Sequence, residues 1–129
     1  ANYDVTFNFV SVDELSLDTS TLDFLSSNSI KYNVYKSITD VITTTDIIYM
    51  TRIQRERLTG ENLDADYISK NQYLTQEILT NAKNNMVIMH PLPRNNEINP
   101  NIDNDPRAAY FRQMENGLYV RMALLQMLI

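Results

Sequence analysis

The stretch MVIMHPLPR, residues 86–94, joins an apolar strand candidate to a loop that holds the only histidine and two of the four prolines. Each proline restricts the residue before it, so we expect both His90 and Leu92 to be extended. Pro91 and Pro93 have no N–H group to donate. The loop is therefore stiff and rich in free carbonyl oxygens, which suits it to accept hydrogen bonds from an amide or an amine.

A second apolar strand candidate, residues 46–50, leads into the cationic segment TRIQRER, residues 51–57. Arg52 and Gln54 are two positions apart, so in an extended segment their side chains point the same way. The forked guanidinium group and the amide could together grip a carboxylate. In open α/β sheets, ligands bind beyond the carboxyl ends of the strands, where both segments lie. The two segments predict a site for a small polar anion; an ordinary charged connection after a strand is the alternative.

The rest of the chain alternates between strand and helix patterns. Period-two alternation predicts a strand at residues 5–9, and residues 32–35 are a weaker strand candidate. Helices are predicted at residues 15–27, from Ser37 onward, from a cap at Thr75 to about Asn84, and from Tyr110 to Ile129. We expect the strand at 46–50 to be buried. The alternation predicts an α/β fold with a mainly parallel sheet flanked by helices.

The last predicted helix carries an apolar stripe at spacings of three and four residues, formed by Phe111, Met114, Leu118, Met122, Leu125 and Ile129. Such a stripe indicates a face that packs against other elements. We therefore expect the methionines at positions 114, 122 and 127 to lie in or near the core. Arg107, Arg112 and Arg121 are expected to be structural, forming ion pairs that hold the irregular segment and the helix.

Composition narrows the function classes. A chain of 129 residues is one domain at most, and its net charge of −5 argues weakly against nucleic-acid binding. No apolar run approaches the roughly 20 residues that span a bilayer, so no membrane partner is expected. Gly60 and Gly117 are the only glycines, which excludes a P-loop and a dinucleotide-binding fingerprint. With one histidine and no cysteine, no metal site is indicated.

His90 leaves two interpretations open from the residues alone. An acid–base role is possible in principle for a histidine beside a predicted ligand site. A lone histidine between prolines is more often a packed or hydrogen-bonded loop residue. Arg94, at the end of the same loop, also has two interpretations: a residue of the site or a surface residue.

Several motifs together resemble the catalytic chain of the aspartate carbamoyltransferases (aspartate transcarbamoylases). They are YMTRIQ at 49–54 with ER at 56–57, HPLPR at 90–94 with EI at 97–98, DPRAAYFRQ at 105–113 and ENGLYVRMALL at 115–125. Their order and approximate spacing match, the resemblance covers nearly the whole chain, and it is closest to the eukaryotic-type sequences. The related ornithine enzymes typically carry a cysteine after the motif histidine, where this chain has Pro91.

The resemblance implies transfer of the carbamoyl group from carbamoyl phosphate to L-aspartate in pyrimidine biosynthesis, by a cytoplasmic homotrimer without cofactor or metal. It implies that Arg52 and Gln54 bind aspartate, with Arg52 on the side-chain carboxylate. The backbone carbonyls of Pro91 and Leu92 would accept hydrogen bonds from the carbamoyl amino group. The peptide bond between Leu92 and Pro93 would be cis.

The resemblance also implies that residues 1–129 are a partial, Rossmann-like aspartate-binding domain, incomplete at its N-terminal side. The carbamoyl-phosphate domain of the family, which carries the catalytic histidine, is absent, so no catalytic residue is assigned in this chain. Alone, the chain is expected to be inactive. The alternatives are another carbamoyltransferase of the ornithine type, or a non-catalytic paralogue that serves as an interaction domain.

Overall fold

A computed structural model describes residues 3–52 and 73–129. The strands are β1 (Thr6–Val10), β2 (Lys31–Tyr35), β3 (Ile47–Tyr49) and β4 (Val87–Met89). The helices are α1 (Thr19–Ser27), α2 (Gln76–Leu79) and α3 (Tyr110–Leu128). Single 3-10 turns occupy Asp13–Leu15, Ile38–Asp40 and Pro100–Asn104. The predicted loop at 58–66 lies outside the described residues.

Both strand pairings are parallel, which confirms the predicted α/β class. β1 pairs with β2 from Thr6 opposite Lys31, and β3 pairs with β4 from Ile47 opposite Val87. Within the described part of the chain the two pairs form separate sheets instead of one continuous sheet. The segment 107–109 runs alongside β4, because Ile88 N–H donates to the Arg107 carbonyl at 2.9 Å and Ala109 N–H donates to the Ile88 carbonyl at 2.8 Å.

The helix boundaries follow local capping groups. α1 begins later than predicted because Asp18 is its cap: Oδ1 accepts a hydrogen bond from Thr21 N–H at 2.8 Å. The predicted cap of α2 is confirmed, since Thr75 Oγ1 accepts from Ile78 N–H at 3.2 Å. α2 ends at Leu79 instead of near position 84. There the Leu79 carbonyl accepts from Ala82 N–H at 3.2 Å and from Arg107 Nη1 at 2.9 Å. The helix predicted from Ser37 is a single 3-10 turn.

The core lies around β4 and the segments that flank it. Its buried members are Ile38, Ile42, Met50, Leu74, Leu79, Met86, Ile88, Ile98, Ile102 and Tyr110. β3 was predicted to be buried, but Ile47 and Tyr49 are exposed and only Ile48 packs against the core. In a strand, successive side chains point to opposite faces, and only one face of β3 meets the core.

α3 is present over the predicted residues, but the predicted burial of its stripe is wrong. The stripe residues from Phe111 to Ile129 are 43% to 104% exposed, and only Tyr110 of this helix is buried. Met114, Met122 and Met127 are therefore not core residues. Only the first turn of α3 meets the core cluster. None of the described helices is both long enough and apolar enough to cross a membrane.

Candidate functional site

The carboxyl ends of β3 and β4 lie side by side, as the parallel arrangement predicted. Met50 N–H donates to the Met89 carbonyl at 2.9 Å, just before the two candidate segments begin. Arg52 is exposed in the segment after β3, and Gln54 lies outside the described residues. In the loop after β4, Pro91 is exposed and Leu92 is half-buried. The structure thus brings the start of the cationic segment next to the proline loop.

The imidazole of His90 is fully buried and uses both ring nitrogens. Nδ1 accepts a hydrogen bond from Leu92 N–H at 2.8 Å. Because a backbone N–H can only donate, the ring proton sits on Nε2, which lies 2.8 Å from Glu97 Oε1 and donates to it. His90 is therefore a packed, hydrogen-bonded loop residue and has no nitrogen left for a substrate.

Leu92 has a φ of 45°, in the left-handed region, so the expectation that it is extended is wrong. Its N–H is held by the His90 ring, which compensates part of the cost of a conformation that a leucine rarely adopts. The expected cis peptide between Leu92 and Pro93 is confirmed. Within residues 3–52 and 73–129, the carbonyl oxygens of Pro91 and Leu92 accept no hydrogen bond, which keeps them available as acceptors.

Glu97 closes the loop from its far end. Its two carboxylate oxygens lie 3.2 Å and 3.1 Å from Asn95 N–H, which donates to them, and its backbone carbonyl accepts from Leu74 N–H at 2.9 Å. The carboxylate is almost fully buried, which is tolerated because it is hydrogen-bonded. Sequence reasoning missed this role, because His90 and Glu97 are seven positions apart in an irregular, proline-containing loop, where no helix or strand repeat relates their side chains.

Arg94 fixes the other end of the proline loop. Its guanidinium group forms a two-pronged ion pair with Asp103, with Nη2 2.6 Å from Oδ2. The hydroxyl of Tyr110 donates to Asp103 Oδ1 at 2.5 Å, and the Arg94 guanidinium lies 5.4 Å from the centre of the Tyr110 ring. Arg94 is thus a structural anchor of the loop.

The contacts among Arg94, Asp103 and Tyr110 shift the pKa values of the last two residues. The hydrogen bond from Arg94 holds the pKa of Asp103 below its usual range. Burial, reinforced by the neighbouring Asp103 carboxylate, raises the pKa of Tyr110 to about 12.

The ion pair expected for Arg107 is confirmed. Its guanidinium group donates to Asp105 through Nε at 2.8 Å and through Nη2 at 2.7 Å. These bonds lower the pKa of the Asp105 carboxyl. In the part of the chain that the structure describes, no group of three or more histidine and acidic side chains is arranged to hold a metal ion.

One further side chain, which sequence reasoning missed, touches the proline loop and the strand that leads into the cationic segment. Gln113 lies in the first turn of α3, and its Oε1 accepts a hydrogen bond from His90 N–H at 2.9 Å. Its Nε2 donates to the hydroxyl of Tyr49, the last residue of β3, at 3.2 Å. Only its place in the quoted DPRAAYFRQ motif could have drawn attention to it.

Comparison with known proteins gives one consistent family. Residues 1–128 match the family described as aspartate/ornithine carbamoyltransferase, Asp/Orn binding domain. The multifunctional protein pyr1-3 of Dictyostelium discoideum is 47% identical over 125 residues, which is 97% of this chain and 6% of that protein. The aspartate carbamoyltransferase catalytic subunit of Clostridium acetobutylicum is 47% identical over 123 residues, which is 93% of this chain and 39% of that protein.

Solved structures agree with the sequence relatives. The crystal structure of aspartate transcarbamoylase from Trypanosoma cruzi in complex with carbamoyl phosphate superposes with a TM-score of 0.82 at 32% identity, covering 93% of this chain and 39% of that chain. The same enzyme in complex with N-(phosphonacetyl)-L-aspartic acid also has a TM-score of 0.82. The chain therefore spans well under half the length of the proteins it matches.

Replacing His90 with phenylalanine is expected to lower the free energy of unfolding by about 3 kcal/mol. The Leu92 N–H would lose its acceptor, and among the described residues the buried Glu97 carboxylate would keep only the Asn95 N–H as a donor. Urea titration of the two proteins measures the difference. Glu97→Gln is the control: it keeps an acceptor oxygen for His90 Nε2, so its cost should be closer to about 1 kcal/mol. A His90→Phe protein as stable as wild type would contradict a stabilising role for the hydrogen bonds of the His90 ring.

Tyr110 is expected to ionise near pH 12, well above the ordinary tyrosine pKa of 10.0. Since the folded-state pKa is raised, its stabilising contribution is fully present below pH 10 and is lost as the pH rises through about 12. Ultraviolet titration of tyrosinate in wild type and in Tyr110→Phe measures it by difference. A difference curve centred near the ordinary value would contradict the cluster geometry.

Proposed function

Because this chain belongs to the aspartate/ornithine carbamoyltransferases and matches their Asp/Orn-binding domain, we propose that it binds the acceptor L-aspartate in an enzyme of pyrimidine biosynthesis. That enzyme would transfer the carbamoyl group of carbamoyl phosphate to the aspartate amine. The observation that carries the proposal is the 47% identity to a protein named aspartate carbamoyltransferase catalytic subunit across 93% of this chain. The adjacent, parallel ends of β3 and β4 support the proposal, because ligands of such sheets bind beyond the strand ends.

The acceptor would be held by the segment after β3. Arg52 carries a permanent charge at the exposed edge beyond the strand end, and its planar fork matches a carboxylate. We assign it the side-chain carboxylate of aspartate. Gln54 would add an amide donor to the same substrate. The side chain of ornithine ends in an amine, which an arginine repels when the amine is charged, whereas the side chain of aspartate ends in a carboxylate. The segment therefore favours a dicarboxylic substrate.

The carbamoyl group would be held by the loop after β4. Its amino group needs hydrogen-bond acceptors, and the backbone carbonyls of Pro91 and Leu92 accept no bond within the described residues. The aspartate amine would attack the carbamoyl carbon, the bond from that carbon to the phosphate oxygen would break, and phosphate would leave with the proton that the amine loses. This chain would contribute positioning of both reactants, which lowers the barrier without a covalent intermediate.

The remaining parts of the reaction are proposed to lie outside residues 1–129. The chain covers 39% of the Clostridium catalytic subunit and 6% of the Dictyostelium protein, so we treat it as a partial aspartate-binding domain. A separate domain would bind the phosphate group and supply the catalytic residues, and the isolated chain would be inactive. We propose that the complete enzyme is a homotrimer in the cytoplasm, although relatives from Pisum sativum are named chloroplastic.

A complete chain containing residues 1–129 is expected to form carbamoyl-aspartate and no citrulline when aspartate and ornithine are offered in parallel with carbamoyl phosphate. Product analysis by chromatography distinguishes the two. Citrulline as the main product would move the chain to the ornithine branch of the family. A folded protein that transfers to neither acceptor would favour the non-catalytic paralogue.

In the same complete chain, Arg52→Ala is expected to raise the KM for aspartate, lower kcat, and reduce kcat/KM by about 100-fold, because the substrate carboxylate loses a charged partner. The KM for carbamoyl phosphate should change little. Arg112→Ala, which removes an exposed arginine from α3, is the matched control. Unchanged aspartate kinetics in Arg52→Ala would remove Arg52 from the site.

A further inference from the structure

A single side chain, that of Gln113, connects the strand that leads to the proposed aspartate segment with the loop proposed to hold the carbamoyl group. Its amide orientation follows from the partners. The His90 N–H can only donate, so the atom 2.9 Å from it is the carbonyl oxygen Oε1. The amide nitrogen therefore faces the Tyr49 hydroxyl at 3.2 Å and donates to it. One amide therefore bonds to the end of β3 and to the first residue of the loop.

Gln113 lies in a part of the fold that is held in place by several contacts. Gln113 N–H donates to the Ala109 carbonyl at 2.8 Å, which places Gln113 within the first turn of α3. That turn is anchored by the fully buried Tyr110 and by the bond from Ala109 N–H to the Ile88 carbonyl in β4. Because the backbone of Gln113 is fixed in this way, its side chain can hold its two partners at a fixed separation.

The two partners stand at the entrance to each segment. Tyr49 ends β3 and precedes Arg52 by three positions. His90 is the first residue of the proline loop, and its ring holds Leu92. Tyr49 is 52% exposed, so the bond to its hydroxyl adds little to the core and acts mainly on local geometry.

We propose that Gln113 is a positioning residue that sets the spacing between the carbamoyl loop and the aspartate segment. This inference rests on the proposed function of the two segments. Gln113 touches neither substrate. It acts through the His90 backbone on one side and through Tyr49 on the other, so that the aspartate amine and the carbamoyl carbon meet at reacting distance.

The test uses steady-state kinetics of a complete chain containing residues 1–129. Gln113→Met keeps the side-chain length but removes both hydrogen bonds, and it is expected to raise the KM for both substrates about tenfold with a lower kcat. Tyr49→Phe removes only one end and is expected to raise the aspartate KM about threefold, with the carbamoyl phosphate KM unchanged. Gln113→Glu keeps an acceptor for both groups and should recover most of the loss.

Gln126→Met is the matched control, because it makes the same change at an exposed position near the end of α3. Kinetics of Gln113→Met equal to those of Gln126→Met, or a lowered melting temperature with unchanged KM values, would overturn the inference and leave the proposed function standing. If Gln113→Met does not fold, an unchanged aspartate KM in Tyr49→Phe overturns it. Wild-type protein that transfers to neither acceptor would overturn both.

Discussion

A buried imidazole has to hydrogen-bond through both nitrogens, and His90 meets this requirement with the Leu92 amide on one side and the Glu97 carboxylate on the other. The first bond holds Leu92 in a left-handed conformation, and the second closes the loop over residues 90–97. The ring thereby fixes the backbone that carries the carbonyl oxygens of the loop. The backbone geometry of the candidate site therefore depends on a side chain that has no nitrogen available to a substrate.

The chain between β4 and α3 has little regular secondary structure and is held in place by ion pairs. The stretch from 95 to 109 contains one 3-10 turn, yet it contributes Ile98 and Ile102 to the core. Arg94 with Asp103, and Arg107 with Asp105, fix it at two places. Removing one partner from such a partly buried pair would leave an uncompensated charge, so each pair ties the chain to this path at one place.

The candidate site is formed by the ends of two strands and the first turn of one helix. The parallel register of β3 and β4 brings the cationic segment and the proline loop to one edge, as expected for ligand sites in α/β sheets. The first turn of α3 then reaches both through Gln113. In the remaining turns of α3 the large apolar side chains are exposed.

The sequence by itself determined the family, the parallel α/β class, the cap at Thr75, the extent of α3 and the cis peptide at Leu92. These depend on local periodicity, short-range capping groups or motifs that a linear chain displays directly. Only the tertiary structure decided that His90 pairs with Glu97, that Arg94 pairs with Asp103, and that the α3 stripe is exposed. A hydrogen bond such as that between Gln113 and Tyr49 joins residues 64 positions apart. No period encodes such a contact, and burial depends on whether another surface faces the stripe.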